Sequence, residues 1–205
     1  MNPVIALAAA YFIGSIPFGF LLVRLTTGRD VRESGSGNIG ATNVLRTTGR
    51  TLGILTLLLD IGKGYFAVWL TFKNTHSLEW AAIAAVVAMI GHSFPAVLRF
   101  RGGKAVASFV GAFLYLAPAA LAVALAVFVL VVWRTRFISL GSICAAAALV
   151  PAVWIIQHPP AAVVAASAAA AALIIWRHKE NIARLRAGAE HAFSFRRKEA
   201  KGTAR

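Results

Sequence analysis

The sequence predicts an all-α, polytopic integral membrane protein with seven transmembrane helices. The first observation behind this is composition: 59% of the 205 residues are hydrophobic and only 14% are charged, whereas a soluble domain carries about 25% charged residues. Such a chain cannot cover itself with polar surface in water, so the bilayer is its natural solvent. The second is the length of its apolar runs, because about 20 helical residues cross a ~30 Å hydrocarbon core. The third is the placement of basic residues, which orients the spans.

The first apolar run, 3–23, follows Met1-Asn2 without a basic leader and reads as a retained span, not a removable signal. Runs 51–72, 80–98 and 137–156 each match one crossing, and 161–176 is a shorter, alanine-rich sixth run. The run 105–133 is too long for one straight helix and too short for two full ones. Pro118 follows Ala117 near its middle, where it interrupts helical hydrogen bonding, so this run is expected to form two short spans. With seven spans and the N-terminus outside, segments 24–50, 99–104, 134–136 and the tail from Arg177 share the cytoplasmic side. They hold every Lys and Arg except Lys63 and Lys73. A single crossing at 105–133 would place the basic tail opposite 24–50, against the positive-inside tendency. Residues 1–195 then form one membrane-embedded domain, and 196–205 a basic cytoplasmic tail.

The net charge of +14 does not indicate nucleic acid, because the charges fall between apolar runs. The single cysteine, Cys144, has no partner in the chain and reads as packing.

The unusual polar motifs gather on the predicted cytoplasmic side. Segment 30–46 contains Ser34, Gly35, Ser36, Gly37, Asn38, Gly40, Thr42, Asn43 and Arg46. Its glycine amides could turn toward an anion, its Ser, Asn and Thr side chains add donors, and Arg46 can form a fork with phosphate. A flexible loop is the commoner meaning of a Gly/Ser-rich stretch. No Gly-Lys-Ser/Thr follows, so it is not a Walker A loop. Segment 91–104 carries Gly91, His92, Gly102, Gly103 and Lys104 ahead of a helix whose N-terminus suits an anion; a turn with ordinary positive-inside residues is the alternative. His92 by itself reads as a structural histidine. Arg134 and Arg136 precede Ser139, Gly141 and Ser142, small polar residues expected at helix contacts. Arg177, Asn181 and Arg184 share one helical face with His178 beside them, although a basic juxtamembrane helix commonly binds lipid headgroups. Asp60 and Lys63 lie three apart inside a span. An isolated charge there costs about 2.5–3.5 kcal/mol, so pairing or a polar cavity is expected: a structural ion pair is the favoured reading, and lining the floor of a site the alternative.

Taken in order, these motifs resemble the bacterial acyl-phosphate-dependent glycerol-3-phosphate acyltransferase (PlsY) family. The resemblance runs through Gly14-Ser15-Ile16-Pro17, the Ser36–Asn43 string, Asp60 with Lys63-Gly64, Gly91-His92, Gly102-Gly103-Lys104, and His178 with Asn181, Arg184, Gly188 and Glu190. It implies transfer of an acyl group from acyl phosphate to glycerol 3-phosphate, giving lysophosphatidate and inorganic phosphate in bacterial phospholipid synthesis. It also implies a seven-helix fold in the bacterial inner membrane, no metal or cofactor, and an upstream enzyme supplying acyl phosphate. A mixed anhydride is already activated, so the protein must chiefly hold two anions together and offset their repulsion. Lys104, Arg46, His178 and Glu190 are the candidate catalytic residues. Lys104, Arg46 and His178 would screen phosphates, while Ser36, Gly37, Asn38, Gly40, Thr42, Asn43, Gly102, Gly103, Asn181 and Arg184 complete the binding set. By resemblance, Ser142 would contact the acyl-phosphate end. His178, Glu190 or a substrate phosphate could accept the hydroxyl proton. No His-x4-Asp follows any of the five histidines, unlike the glycerolipid acyltransferases that use a His-Asp pair. A transporter of a phosphorylated small molecule is the main rival, but it would need a midplane site open alternately to both sides.

Overall fold

The structure is a computed structural model and describes residues 2–193. The last two residues of the expected domain and the basic tail 196–205 lie outside the described residues. Ten α-helices are present among those described: α1 (Pro3–Ser15), α2 (Phe18–Thr27), α3 (Ala41–Thr48), α4 (Arg50–Thr75), α5 (Leu78–Ser93), α6 (Val106–Leu116), α7 (Pro118–Thr135), α8 (Ile138–Gln157), α9 (Ala161–Arg177) and α10 (Lys179–Arg186).

Five stretches are long and apolar enough to cross a membrane: Pro3–Thr27, Arg50–Thr75, Leu78–Leu98, Pro118–Thr135 and Ile138–Gln157. A sixth arises if α9 and α10, bent by 57°, count as one span. The chain does break at Pro118, but α6 has 11 residues and is only about 16 Å long at 1.5 Å per residue. By length and composition the expected count of seven is therefore not reached.

The first span is itself interrupted. Pro17 has no amide hydrogen, and the helix reopens at Phe18, leaving carbonyls near Ile16 without helical partners. Lys63 of α4 donates to the Ile16 carbonyl at 2.7 Å, and its Nζ lies 2.8 Å from Asp60 Oδ1. Both side chains are buried. The intramembrane pair thus joins α4 to the broken first span.

α1 packs on α4 and α5, α4 on α6, and α7 on α8, with α9 set against α5 and α8. The α4–α6 contact is backbone on backbone. A Cβ on Gly64 would overlap the Ser108 carbonyl, and one on Gly111 the Ile61 carbonyl. Small residues allow this approach where no water drives helices together. The main buried cluster joins Phe109 and Phe113 of α6 to Leu121 of α7, Leu149 of α8 and Ile174 of α9. Alanines fill much of the remainder, so the helices sit close together.

Segment 24–50, expected to be loop, is largely ordered helix. α2 runs to Thr27, and α3 lies between a 3-10 turn at Val31–Glu33 and α4. Val44 of α3 is fully buried beside Val23, Val31, Ile39 and Leu98. That small apolar cluster anchors an otherwise polar stretch.

Candidate active site

A cavity of about 550 Å³ opens among α3, α4, α6, α7, α8 and the α9–α10 bend. One part is polar, lined by Ser36, Asn38, Thr42, Arg46, Lys104, Ser139, Ser142, His178, Asn181, Arg184 and Glu190. The other is apolar, lined by Leu57, Ile61, Val106, Phe109, Val110, Leu121, Leu125 and Phe128. Segments from across the chain meet in one concavity, the condition that the scattered motifs required.

Three helices present their N-termini to this cavity. Gly40, Ala41 and Thr42 open α3, Ala105, Val106 and Ala107 open α6, and Ile138 and Ser139 open α8, all on the wall. None of the three ends carries a side-chain cap. Helix N-termini leave amide donors unpaired and carry a partial positive charge, so their convergence favours anions. Of these, the sequence identified only the α6 end. Ala105 holds φ 59° at the start of α6, a left-handed conformation that is uncommon for a residue with a Cβ.

The first-loop residues divide into builders and wall. Asn43 is buried, and its carboxamide serves the loop. Nδ2 donates to the carbonyls of Val31 (3.2 Å), Ser34 (3.1 Å) and Asn38 (2.8 Å), and Oδ1 accepts from the Ser36 amide at 2.9 Å. The Gly37 amide donates to Ser34 O at 3.1 Å, and the Gly40 amide to Asn38 Oδ1 at 2.8 Å. These donors shape the loop, while Gly40 and Asn43 also line the cavity. Ser36, Asn38 and Thr42 line the same wall. Arg46 is exposed there, and no ion pair among the described residues engages it.

The amides of Gly102 and Gly103 donate to Ser93 O (3.2 Å) and His92 O (3.1 Å), and their carbonyls accept from Arg177. With their backbone groups so engaged they lead directly into Lys104, whose ammonium donates to Asn181 Oδ1. Burial, reinforced by Arg184, holds Lys104 down to about 8, against the opposing pull of Glu190 and Glu180.

His178 is buried at the α9–α10 bend, and its Nδ1 lies 2.8 Å from the Ile174 carbonyl. A carbonyl only accepts, so Nδ1 carries the proton and Nε2 offers a lone pair. Burial pushes its pKa down to about 4 despite that hydrogen bond. Such a shift favours the neutral ring, with Nε2 free to accept a proton.

Glu190 accepts through Oε1 from Ser139 (2.8 Å) and Asn181 (2.6 Å), and through Oε2 from Arg184 Nε (2.9 Å). Burial raises its pKa, but these hydrogen bonds outweigh burial and hold it below the usual range. The carboxylate ties α10 to the start of α8. Ser142 is on the wall, its hydroxyl donating to Ile138 O at 2.9 Å. Ser139, assigned by the sequence to packing, instead belongs to the polar network. Asp60 and His92 also reach the wall. No group of three or more His, Cys, Asp and Glu side chains suited to a metal occurs among the described residues.

The fold and this chamber, lined by cationic and polar side chains as well as apolar ones, define an all-α membrane-embedded protein with an amphipathic cavity. The chain belongs to the glycerol-3-phosphate acyltransferase family, whose family model matches residues 4–188. It is 49% identical to the glycerol-3-phosphate acyltransferase of Syntrophotalea carbinolica over 92% of this chain and 96% of that one. The Geobacter sulfurreducens glycerol-3-phosphate acyltransferase is 46% identical over 94% and 98%. The structure resembles the crystal structure of PlsY (YgiH), an integral membrane glycerol 3-phosphate acyltransferase, in its glycerol 3-phosphate form. The TM-score is 0.89 at 33% identity, covering 95% of this chain and 96% of that one. Its lysophosphatidic acid form matches with a TM-score of 0.86 at 32% identity over the same shares.

Proposed function

We propose that this protein transfers a fatty acyl group from acyl phosphate to glycerol 3-phosphate, releasing 1-acyl-glycerol 3-phosphate and inorganic phosphate. One observation carries the reading: a single cavity joins a cation- and amide-lined part to an apolar groove. An amphipathic donor can lay its chain in the groove and bring its anhydride to the polar part, where glycerol 3-phosphate docks.

The chemistry asked of the protein is modest. A glycerol hydroxyl oxygen attacks the acyl carbonyl carbon, the bond from that carbon to the phosphate oxygen breaks, and phosphate departs with the bonding pair. The hydroxyl proton ends on the released phosphate, either directly or through the Nε2 lone pair of neutral His178. Lys104, Arg46 and Arg184, with the three helix N-termini, offset the charge of two phosphorylated substrates. Ser36, Asn38, Thr42, Asn181 and Ser142 add neutral hydrogen-bonding groups that orient them.

In this reading α6 completes a seven-pass arrangement in a bacterial inner membrane, with the N-terminus outside and the polar part of the cavity on the cytoplasmic side. The placement of Lys and Arg supports that orientation. The donor would come from an enzyme that makes acyl phosphate. Purified protein given palmitoyl phosphate and glycerol 3-phosphate is expected to release phosphate and lysophosphatidate in equal amounts. Phosphate release without acylated product would replace the transferase reading with a hydrolase.

A further inference from the structure

Lys104 sits on the short segment between the turn after α5 and the start of α6. An ammonium on a flexible four-carbon stem has little directional grip, so its placement depends on what holds its backbone. That backbone is gripped along two edges. On one edge the Gly102 and Gly103 amides donate to Ser93 O and His92 O at 3.2 and 3.1 Å. On the other, Arg177 donates from Nε to Gly103 O and from Nη2 to Gly102 O, each at 3.0 Å. The planar guanidinium fork bridges two successive carbonyls from two nitrogens held in a rigid plane, a geometry that the single, freely rotating ammonium of a lysine does not reproduce. The Arg177 fork is itself steadied, with its Cζ 5.2 Å from the centre of the Phe94 ring.

Glycine is required beneath this clamp, since a Cβ on Gly103 would overlap the His92 imidazole. Arg177 does not line the main cavity. Four residues further on, Asn181 receives the Lys104 ammonium. Two ties therefore join the Lys104 segment to the α9–α10 bend, one through backbone and one through the side chain.

We infer that Arg177 is a positioning residue for Lys104: its fork onto the Gly102 and Gly103 carbonyls sets where the ammonium stands against Asn181 and the substrates. This rests on the role proposed above for Lys104. Arg177 acts through Lys104 and not by touching substrate, so charge at position 177 is insufficient without the fork.

The test uses Arg177→Gln and Arg177→Lys in the full chain, with two readouts. One is kcat/KM with palmitoyl phosphate and glycerol 3-phosphate. The other is the rate of reductive methylation of Lys104, followed by peptide mass spectrometry and normalised to exposed Lys73. Both variants are expected to lose at least about tenfold in kcat/KM while Lys104 methylation rises at least about threefold, as the ammonium comes loose from Asn181. Arg177→Lys carries the test if Arg177→Gln does not fold. A folded variant with kcat/KM within about twofold of the parent, or with Lys104 methylation unchanged, overturns the inference. An inactive parent would instead refute the transferase reading, and the methylation readout would still decide whether Arg177 holds Lys104.

Discussion

Lys104 is the residue whose charge state the site depends on most. A pKa held down to about 8 means that the ammonium is complete below that pH and is lost as pH rises through it. We expect kcat/KM to fall above about pH 8, approaching tenfold per pH unit. Lys104→Arg, which stays charged, should show no such limb, and a limb that persisted would assign the titration elsewhere. Lys104→Ala and Arg46→Ala should each lose roughly a hundredfold in kcat/KM, about 2.7 kcal/mol of transition-state stabilisation, with unaltered circular dichroism. Normal kinetics in both folded variants would remove anion screening from the mechanism. For Glu190, whose carboxylate joins Ser139, Asn181 and Arg184, we predict a contribution to stability. Glu190→Gln removes the counter-charge of Arg184 and places an amide among donors, so thermal unfolding in detergent should show a loss of about 1–2 kcal/mol.

The elements depend on two local devices. The Asp60–Lys63 pair holds α4 against the break between α1 and α2, and removing one partner leaves the other buried without its counter-charge, Lys63 on the Ile16 carbonyl or Asp60 with His92 Nδ1 at 3.7 Å. Lys63→Met and Asp60→Ala are each expected to cost about 3–5 kcal/mol, with the double variant recovering part of it. Strict additivity in unfolding measurements would show that the two do not act as a pair. The α4–α6 contact makes a second demand: Gly111→Ala forces a methyl onto backbone of α4, a strain of about 1–3 kcal/mol, visible as a lower Tm. The spans were legible because an apolar run of given length has few ways to satisfy its backbone in lipid. α3 was not, because it is only eight residues long, too short to hold a helix by itself, and follows a Gly/Ser-rich stretch that reads first as a loop. Its helical state depends on Val44 finding Val23 and Leu98 in space.

The whole molecule is one membrane-embedded bundle whose cavity opens along α4 and among α6, α7, α8 and the α9–α10 bend. Its proposed sidedness can be checked with Asn38→Cys in a Cys144→Ala background. A membrane-impermeant maleimide should label it in inside-out vesicles and not in intact spheroplasts; the reverse would overturn the orientation.

By itself the chain determined its solvent, its broad architecture, the break at Pro118 and most residues of the polar wall. Each follows from composition or from short, ordered motifs. Only the tertiary structure decided which way those side chains point. It turned the carboxamide of Asn43 into the loop, spent the carboxylate of Glu190 on Ser139, Asn181 and Arg184, and buried His178 with its Nδ1 on the Ile174 carbonyl. Hydrogen-bond partners and burial are set by residues as far apart as Ser139 and Glu190, and no spacing along a sequence encodes such encounters.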